Sequence, residues 1–241
     1  MLWDSIKDNP PKELKISPIA AIPHKSKDFR SILDLSFRLG LKNGGVRTSV
    51  NDTTEKTAPA GAIDQIGECL SRIIHAFAEA DDEAKIFMAK WDIKDGFWRM
   101  DYAAGEEWNF TYVLPQEEGE PLTLVVPTSL QMGWVESPPY FCAATETSRD
   151  ISTEYIETEV NSLHRHKFEH YVVGAPAYTN LPKSEQDPQG FWYIFEVYVD
   201  DFMSLVIPVS REQLRHVANA IMHGIHDVFP PDTNDDEDPI R

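Results

Sequence analysis

A chain of 241 residues that is 41% hydrophobic and 11% aromatic is long enough for one large domain or two small ones with a substantial core. Two cysteines, Cys69 and Cys142, exclude a disulfide framework and point to a reducing, intracellular setting, while residues 1–5 lack the features of a signal peptide and no apolar run approaches the ~20 residues of a membrane span. The net charge of −18 opposes a polyanionic partner, yet residues 1–50 hold nine Lys/Arg against five Asp/Glu, so the acid belongs to the remainder.

Residues 16–22 and 29–35 read as two short strands joined by the polar turn His24-Lys25-Ser26-Lys27-Asp28, a hairpin with basic residues at its tip. Residues 40–62, rich in Gly, Thr and Asn, read as a loop. Ile63, Ile66, Leu70, Ile73 and Phe77 recur at helical spacing and predict one apolar helix face. Residues 85–93 read as a strand with Ile86, Met88 and Asp92 on one side. Residues 108–114 and 122–126 form a predicted hairpin around 116–120.

Ser137-Pro138 is a helix-start signal, Ser as N-cap and Pro at the first helical position. Residues 161–190, with Pro176, Pro182 and Pro188, read as polar and irregular, part of an insertion over about 151–190. His164, His166 and His170 lie there without a Cys pair and read as a polar surface stretch rather than a metal site. Ser210 with Gln213 forms a capping box for a last helix through Leu214, Val217, Ile221 and Ile225, stopped by Pro230-Pro231. His216, His223 and His226 mark its partly exposed side, and residues 230–241 read as a solvated, disordered acidic tail. The order describes an α+β domain with helices on one face of an antiparallel sheet.

Tyr198-Val199-Asp200-Asp201 carries the chemistry. Two adjacent carboxylates fall between the apolar runs 191–197 and 202–207, where a hairpin turn belongs. Such a pair at the edge of a buried sheet is costly unless a cation neutralises it, and a divalent metal is the usual solution. Asp92, 108 residues before Asp200, ends a strand and supplies a third carboxylate. Three such groups can hold two Mg²⁺ ions ~3.5–4 Å apart for an in-line displacement. The structural alternative is that Asp92 caps the turn before Asp95-Gly96 and the Asp pair is a surface turn.

Four stretches in one order give the chain a resemblance to the fingers and palm of a retroelement, retrotransposon-type reverse transcriptase. Phe29-Arg30-Ser31-Ile32-Leu33-Asp34-Leu35 resembles the fingers segment whose Arg contacts the nucleotide triphosphate. Asp92-Ile93-Lys94-Asp95-Gly96-Phe97 resembles the first palm motif, a metal-binding Asp followed by an aromatic gate. Gly133-Trp134-Val135-Glu136-Ser137-Pro138 resembles the Gly-x-x-x-Ser-Pro motif, and Tyr198-Val199-Asp200-Asp201 the Tyr-x-Asp-Asp hairpin.

The resemblance runs from about residue 15 to about residue 230 and implies a right-hand polymerase palm with partial fingers and no thumb. Residues 1–62 would be fingers-like, 63–229 palm-like and 230–241 the tail. It implies that Asp92, Asp200 and Asp201 are catalytic and bind two Mg²⁺ ions, with Mn²⁺ as substitute. Arg30, Lys25 and Lys27 would hold phosphate, Phe97 would exclude a 2′-hydroxyl, and Met132 and Gly133 would adjoin the nucleotide. Tyr198, Ser137 and Pro138 would face the primer–template. Implied partners are an RNA or DNA template–primer, a dNTP and the remainder of a retroelement polyprotein, with no membrane.

Met132 departs from the family, standing where many relatives carry Gln, and Glu136 adds a negative charge near the expected nucleic-acid path. Trp134 reads as structural. Two alternatives stand beside a polymerase: a catalytically idle, truncated remnant that binds nucleic acid or protein, and an unrelated metal-dependent phosphotransferase.

Overall fold

The structure, a computed structural model, describes residues 1–23, 29–160, 162–183, 191–231 and 238–240. Five strands come first: β1 (Ile16–Ser17), β2 (Ile19–Pro23), β3 (Phe29–Leu33), β4 (Leu39–Gly40) and β5 (Val46–Arg47). Helices α1 (Val50–Thr53) and α2 (Ala60–Glu79) precede strands β6 (Phe87–Asp92), β7 (Thr111–Val113) and β8 (Leu124–Val125). Helices α3 (Ser137–Ile156), α4 (Glu169–Val173) and α5 (Pro176–Thr179) lead to the hairpin β9 (Trp192–Tyr198) and β10 (Asp201–Ile207) and to α6 (Arg211–Val228). This is a mixed α+β chain, and among the described residues no helix is long and apolar enough to cross a membrane.

Two compact units divide it: Met1–Ala58 with Phe97–Pro138, and Pro59–Gly96 with Pro139–Arg241. The chain passes between units three times, where the sequence reading has one passage near residue 62. The physical reason lies in the aromatic residues of the 97–138 stretch. Tyr102, Phe110 and Trp134 pack on Leu33, Leu35 and Val50, giving the first unit its own core.

In that unit the strand expected over 16–22 is broken at Pro18, which has no N–H for a ladder. Ile16 and Ser17 pair in parallel with β7, whereas β2 pairs antiparallel with β3, Ile19 opposite Leu33. Lys25 and Lys27, at the tip joining them, lie outside the described residues. The stretch read as a loop contains the β4–β5 pair and α1, which Ser49 and Asp52 close with a reciprocal capping box. Trp134 is structural, as expected: its Nε1–H donates to Thr54 Oγ1 at 2.8 Å, and its ring meets Phe110 edge-on.

The second unit is built on an antiparallel sheet in the order β6-β10-β9. Helices cover both faces rather than one. Strand β10 explains this, because Met203 and Leu205 point to one side while Phe202 and Val206 point to the other. An apolar strand on both sides needs two covers. On the first side Leu205 packs against Cys69 and Ile73 of α2. On the second, Val206 and Trp91 line a cavity of about 360 Å³ with Leu214 and Val217 of α6. Helix α2 buries Cys69, Ile73 and Ala76, so Leu70 and Phe77 of the predicted apolar face stand exposed. The stretch expected to be an irregular insertion holds the end of α3 and both short helices α4 and α5, with Glu169, Tyr178 and Leu181 buried. Helix α6 begins at the expected cap, with Ser210 Oγ accepting from Gln213 N–H, but the Gln213 side chain accepts from Val209 N–H, one residue before the N–H that a capping box uses.

Candidate active site

Antiparallel pairing of β10 with β6 sets Asp201 directly opposite Asp92. Pairing of β10 with β9 sets Tyr198 opposite Asp201, leaving Val199 and Asp200 as a two-residue turn. Val199 has φ 60°, while Asp200 is not among the positive-φ residues, the pattern of a type II′ turn. Glycine is the ordinary occupant, and a β-branched residue there costs about 1–3 kcal/mol. Strain of that size, next to paired carboxylates, is characteristic of functional turns. Ile93 N–H donates to the Asp200 carbonyl (3.2 Å), which ties the turn to the residue after Asp92.

Asp92, Asp200 and Asp201 thereby offer carboxylate oxygens that all lie within 4.8 Å of one another. Asp92 and Asp201 are half-buried and Asp200 is exposed. Burial, then the charges of Asp200 and Asp201, push the Asp92 carboxyl above its ordinary range. Lys90, on the same side of β6 as Asp92, places Nζ 2.8 Å from Asp201 Oδ1, and that hydrogen bond raises its own pKa. An all-oxygen anionic donor set with a crowded, partly desolvated member fits a hard divalent cation such as Mg²⁺ or Mn²⁺. Behind the site, Gly96 is held close to α3: a Cβ there would meet the Phe141 ring at 2.5 Å.

The remaining candidates divide by unit. Tyr198 shares the unit of the carboxylates and is 42% exposed. Arg30, Phe97, Met132, Gly133, Ser137 and Pro138 belong to the other unit. The backbone of Arg30 pairs with Ile22. Phe97 is half-buried in a short 3-10 turn, Gly96–Arg99. Met132 is exposed, and Gly133 has φ 103° with room for a Cβ limited by the Leu33 carbonyl at 3.2 Å. Ser137 is the first residue of α3, and its hydroxyl donates to the Gln131 carbonyl (2.8 Å); half-buried Pro138 follows it.

Sequence reasoning missed two participants, Asn51 and Lys90, and misplaced a third, Glu136. Asn51 ties down the Gly-x-x-x-Ser-Pro loop, donating to the Gly133 carbonyl and accepting from Val135 N–H. Lys90 had only its spacing of two from Asp92 as a signal. Glu136, expected to face nucleic acid, is instead buried and accepts backbone N–H groups from Thr57 and Ala58 at 2.8 and 2.9 Å. A buried carboxylate so satisfied closes a helix-and-loop junction.

No protein-family profile matches the chain, and none of the curated protein sequences compared with it does. Among solved structures, a foamy viral protease–reverse transcriptase in complex with double-stranded DNA matches at TM-score 0.44 and 16% identity. The match covers 89% of this chain and 25% of that one, so the chain spans about a quarter of that protein's length. A likeness at that score does not by itself define a fold.

Proposed function

We propose that the chain is part of a retroelement reverse transcriptase, an RNA-directed DNA polymerase that extends a primer 3′-hydroxyl with deoxynucleotides over an RNA or DNA template. The observation that carries this reading is the convergence of Asp92, Asp200 and Asp201 through the Asp92–Asp201 register, at a strained two-residue turn. The four motifs in family order supply its context. In this reading Asp92 and Asp200 hold two Mg²⁺ or Mn²⁺ ions, and Asp201, already paired with Lys90, orients the site. Bound ions of that kind activate the attacking oxygen and offset charge on the leaving one.

Arg30, Lys25 and Lys27 hold the triphosphate, a guanidinium suiting bidentate contact. Phe97 excludes a 2′-hydroxyl, Met132 and Gly133 flank the nucleotide, and Tyr198, Ser137 and Pro138 support the primer–template. Primer extension on an RNA template is the test, wild type against Asp200→Asn. Extension by the wild type that the substitution abolishes is expected, and extension that survives it sinks the assignment. A second reading, a catalytically idle relative that binds nucleic acid or protein, is favoured by the −18 charge and by Met132 in place of an amide. It predicts template binding without extension.

A further inference from the structure

The second unit contains a cluster of titratable groups that the proposed chemistry does not use. His166, before α4, and His226, on α6, meet edge to edge, Nε2 to Nδ1 at 2.9 Å. The other nitrogen of each ring is engaged as well. Phe168 N–H donates to His166 Nδ1 (3.2 Å), and His226 Nε2 lies 3.0 Å from Asp238 Oδ1. One tautomer assignment satisfies all three contacts. His166 Nδ1 must accept, so its proton is on Nε2 and is donated to His226 Nδ1; His226 then carries its own proton on Nε2 and donates to Asp238. Both rings are neutral, with no place for another proton. One added to His166 Nδ1 would oppose the Phe168 N–H, and one added to His226 Nδ1 would oppose the His166 N–H.

Asp238 belongs to the stretch read from sequence as a solvated tail, yet it is buried. It pairs with Lys167 Nζ at 2.6 Å and accepts Ile240 N–H at 2.9 Å. Beyond it, the Pro239 carbonyl accepts Lys94 N–H (2.8 Å) and Ile240 forms an antiparallel bridge with Ile93. Ile93 in turn donates to the Asp200 carbonyl. Residues 238–240 therefore back the two residues that follow Asp92.

We propose that His166, His226 and Asp238 form a proton-sensitive latch, which holds residues 238–240 against the strand end carrying Asp92 and opens when a ring is protonated. The histidines are positioning residues, acting through the backbone of Ile93 and Lys94. The latch rests on these contacts alone, and its bearing on catalysis rests on the function proposed above. Other charged or titratable groups face it from each packed element. The His223 ring lies 5.0 Å from that of His166 and donates through Nε2 to the His164 carbonyl. Glu169 accepts from Asn219 Nδ2 and has Arg165 and Arg215 at 3.8 Å.

Burial, followed by the neighbouring His226 and His223, pushes His166 down to about 4, and burial lowers His226 against the pull of Asp238. Burial is the largest cause for both rings, and Asp238 pulls the other way. Opening therefore restores a pKa near ~6.5 through the water it admits to the rings, which outweighs the loss of the Asp238 charge. The open state then takes up protons that the closed state refuses, so the latch is at full strength above that pH and weakens as pH falls toward 4. One such histidine raises the opening constant about twenty- to thirtyfold between roughly pH 7.5 and 5.

Amide hydrogen exchange of the full chain at those two pH values, corrected for intrinsic rates, tests this at Lys94 and Ile93. Wild-type protection at Lys94, whose N–H goes to the Pro239 carbonyl, should fall by that factor at the lower pH. Ile93, whose own N–H goes to the Asp200 carbonyl, should lose part of its protection with it. His226→Gln keeps an acceptor for His166 and a donor for Asp238 without taking up a proton, so it should remain protected at neutral pH and lose less in acid. Asp238→Ala should be unprotected at both. Wild-type protection equal at the two pH values overturns the latch, as does Asp238→Ala protected like wild type. A change at Lys94 that leaves Ile93 unmoved overturns the link to the strand end. The readout needs neither metal nor primer, so a chain that fails to extend primers leaves its outcome intact.

Discussion

The protein deals with carboxylate charge in two opposite ways. In one unit Glu136 is 4% exposed and accepts two backbone N–H groups, so its burial is compensated and its role is to close a junction. In the other, three carboxylates from β6 and a strained turn crowd within 4.8 Å, with burial and mutual repulsion raising the pKa of Asp92. Saturated carboxylates hold a fold together, whereas crowded ones that gain by a bound cation hold a ligand. Substitution should separate the two sharply.

The largest expected effect is at the crowded site. Asp200→Asn should cut primer extension by about a hundred- to a thousandfold or more and weaken Mn²⁺ binding by calorimetry. Its melting temperature should stay level or rise, because one repelling charge has gone. A melting temperature that drops as far as activity would make Asp200 structural and erase the contrast. Glu136→Ala should do the reverse. With two buried N–H groups unpaired, stability should fall by about 2–3 kcal/mol in denaturant titrations, with Mn²⁺ affinity unchanged.

How far the sequence reveals this depends on whether a feature is local. The β9–β10 hairpin, the Ser210 cap and the ending of α6 before Pro230 all depend on neighbours in the chain, and all are readable there. The meeting of Asp92 with Asp200 and Asp201 spans more than a hundred residues, and only the ordered motifs made it legible. Features set purely by tertiary packing stayed hidden. Nothing near Glu136 announces that Thr57 and Ala58 will donate to it, and nothing near Asp238 announces His226. The two-sided cover of the sheet was present in β10 as a doubly apolar strand, but period-2 reasoning looks for one buried face.

Acid should also distinguish the two kinds of site. The folded-state pKa of Asp92 lies above its unfolded value, so the native state holds the proton more tightly. The stability this lends is complete below the unfolded pKa, near ~3.9, and is lost as pH rises through the folded one. Mn²⁺ must displace the same proton, so its affinity should decline in acid from a higher pH than an ordinary carboxylate dictates. The Asp92→Asn variant should lack that component of both curves. Curves that coincide with wild type would remove the electrostatic crowding on which the contrast depends.

The smallest effect concerns the cation already at the site. Lys90 competes with an incoming metal for Asp201, but its side chain is 56% exposed, and exposed ion pairs contribute little. Lys90→Met should therefore tighten Mn²⁺ binding only about two- to fivefold. The gain should be visible above the Asp92 titration and shrink below it, because the Lys90 charge also favours ionised Asp92. A weaker affinity in this variant at every pH would mean that Lys90 organises the carboxylates for the ion instead of competing with it. The crowded cluster would then be partly saturated by its own lysine, and its distance from the Glu136 arrangement correspondingly smaller.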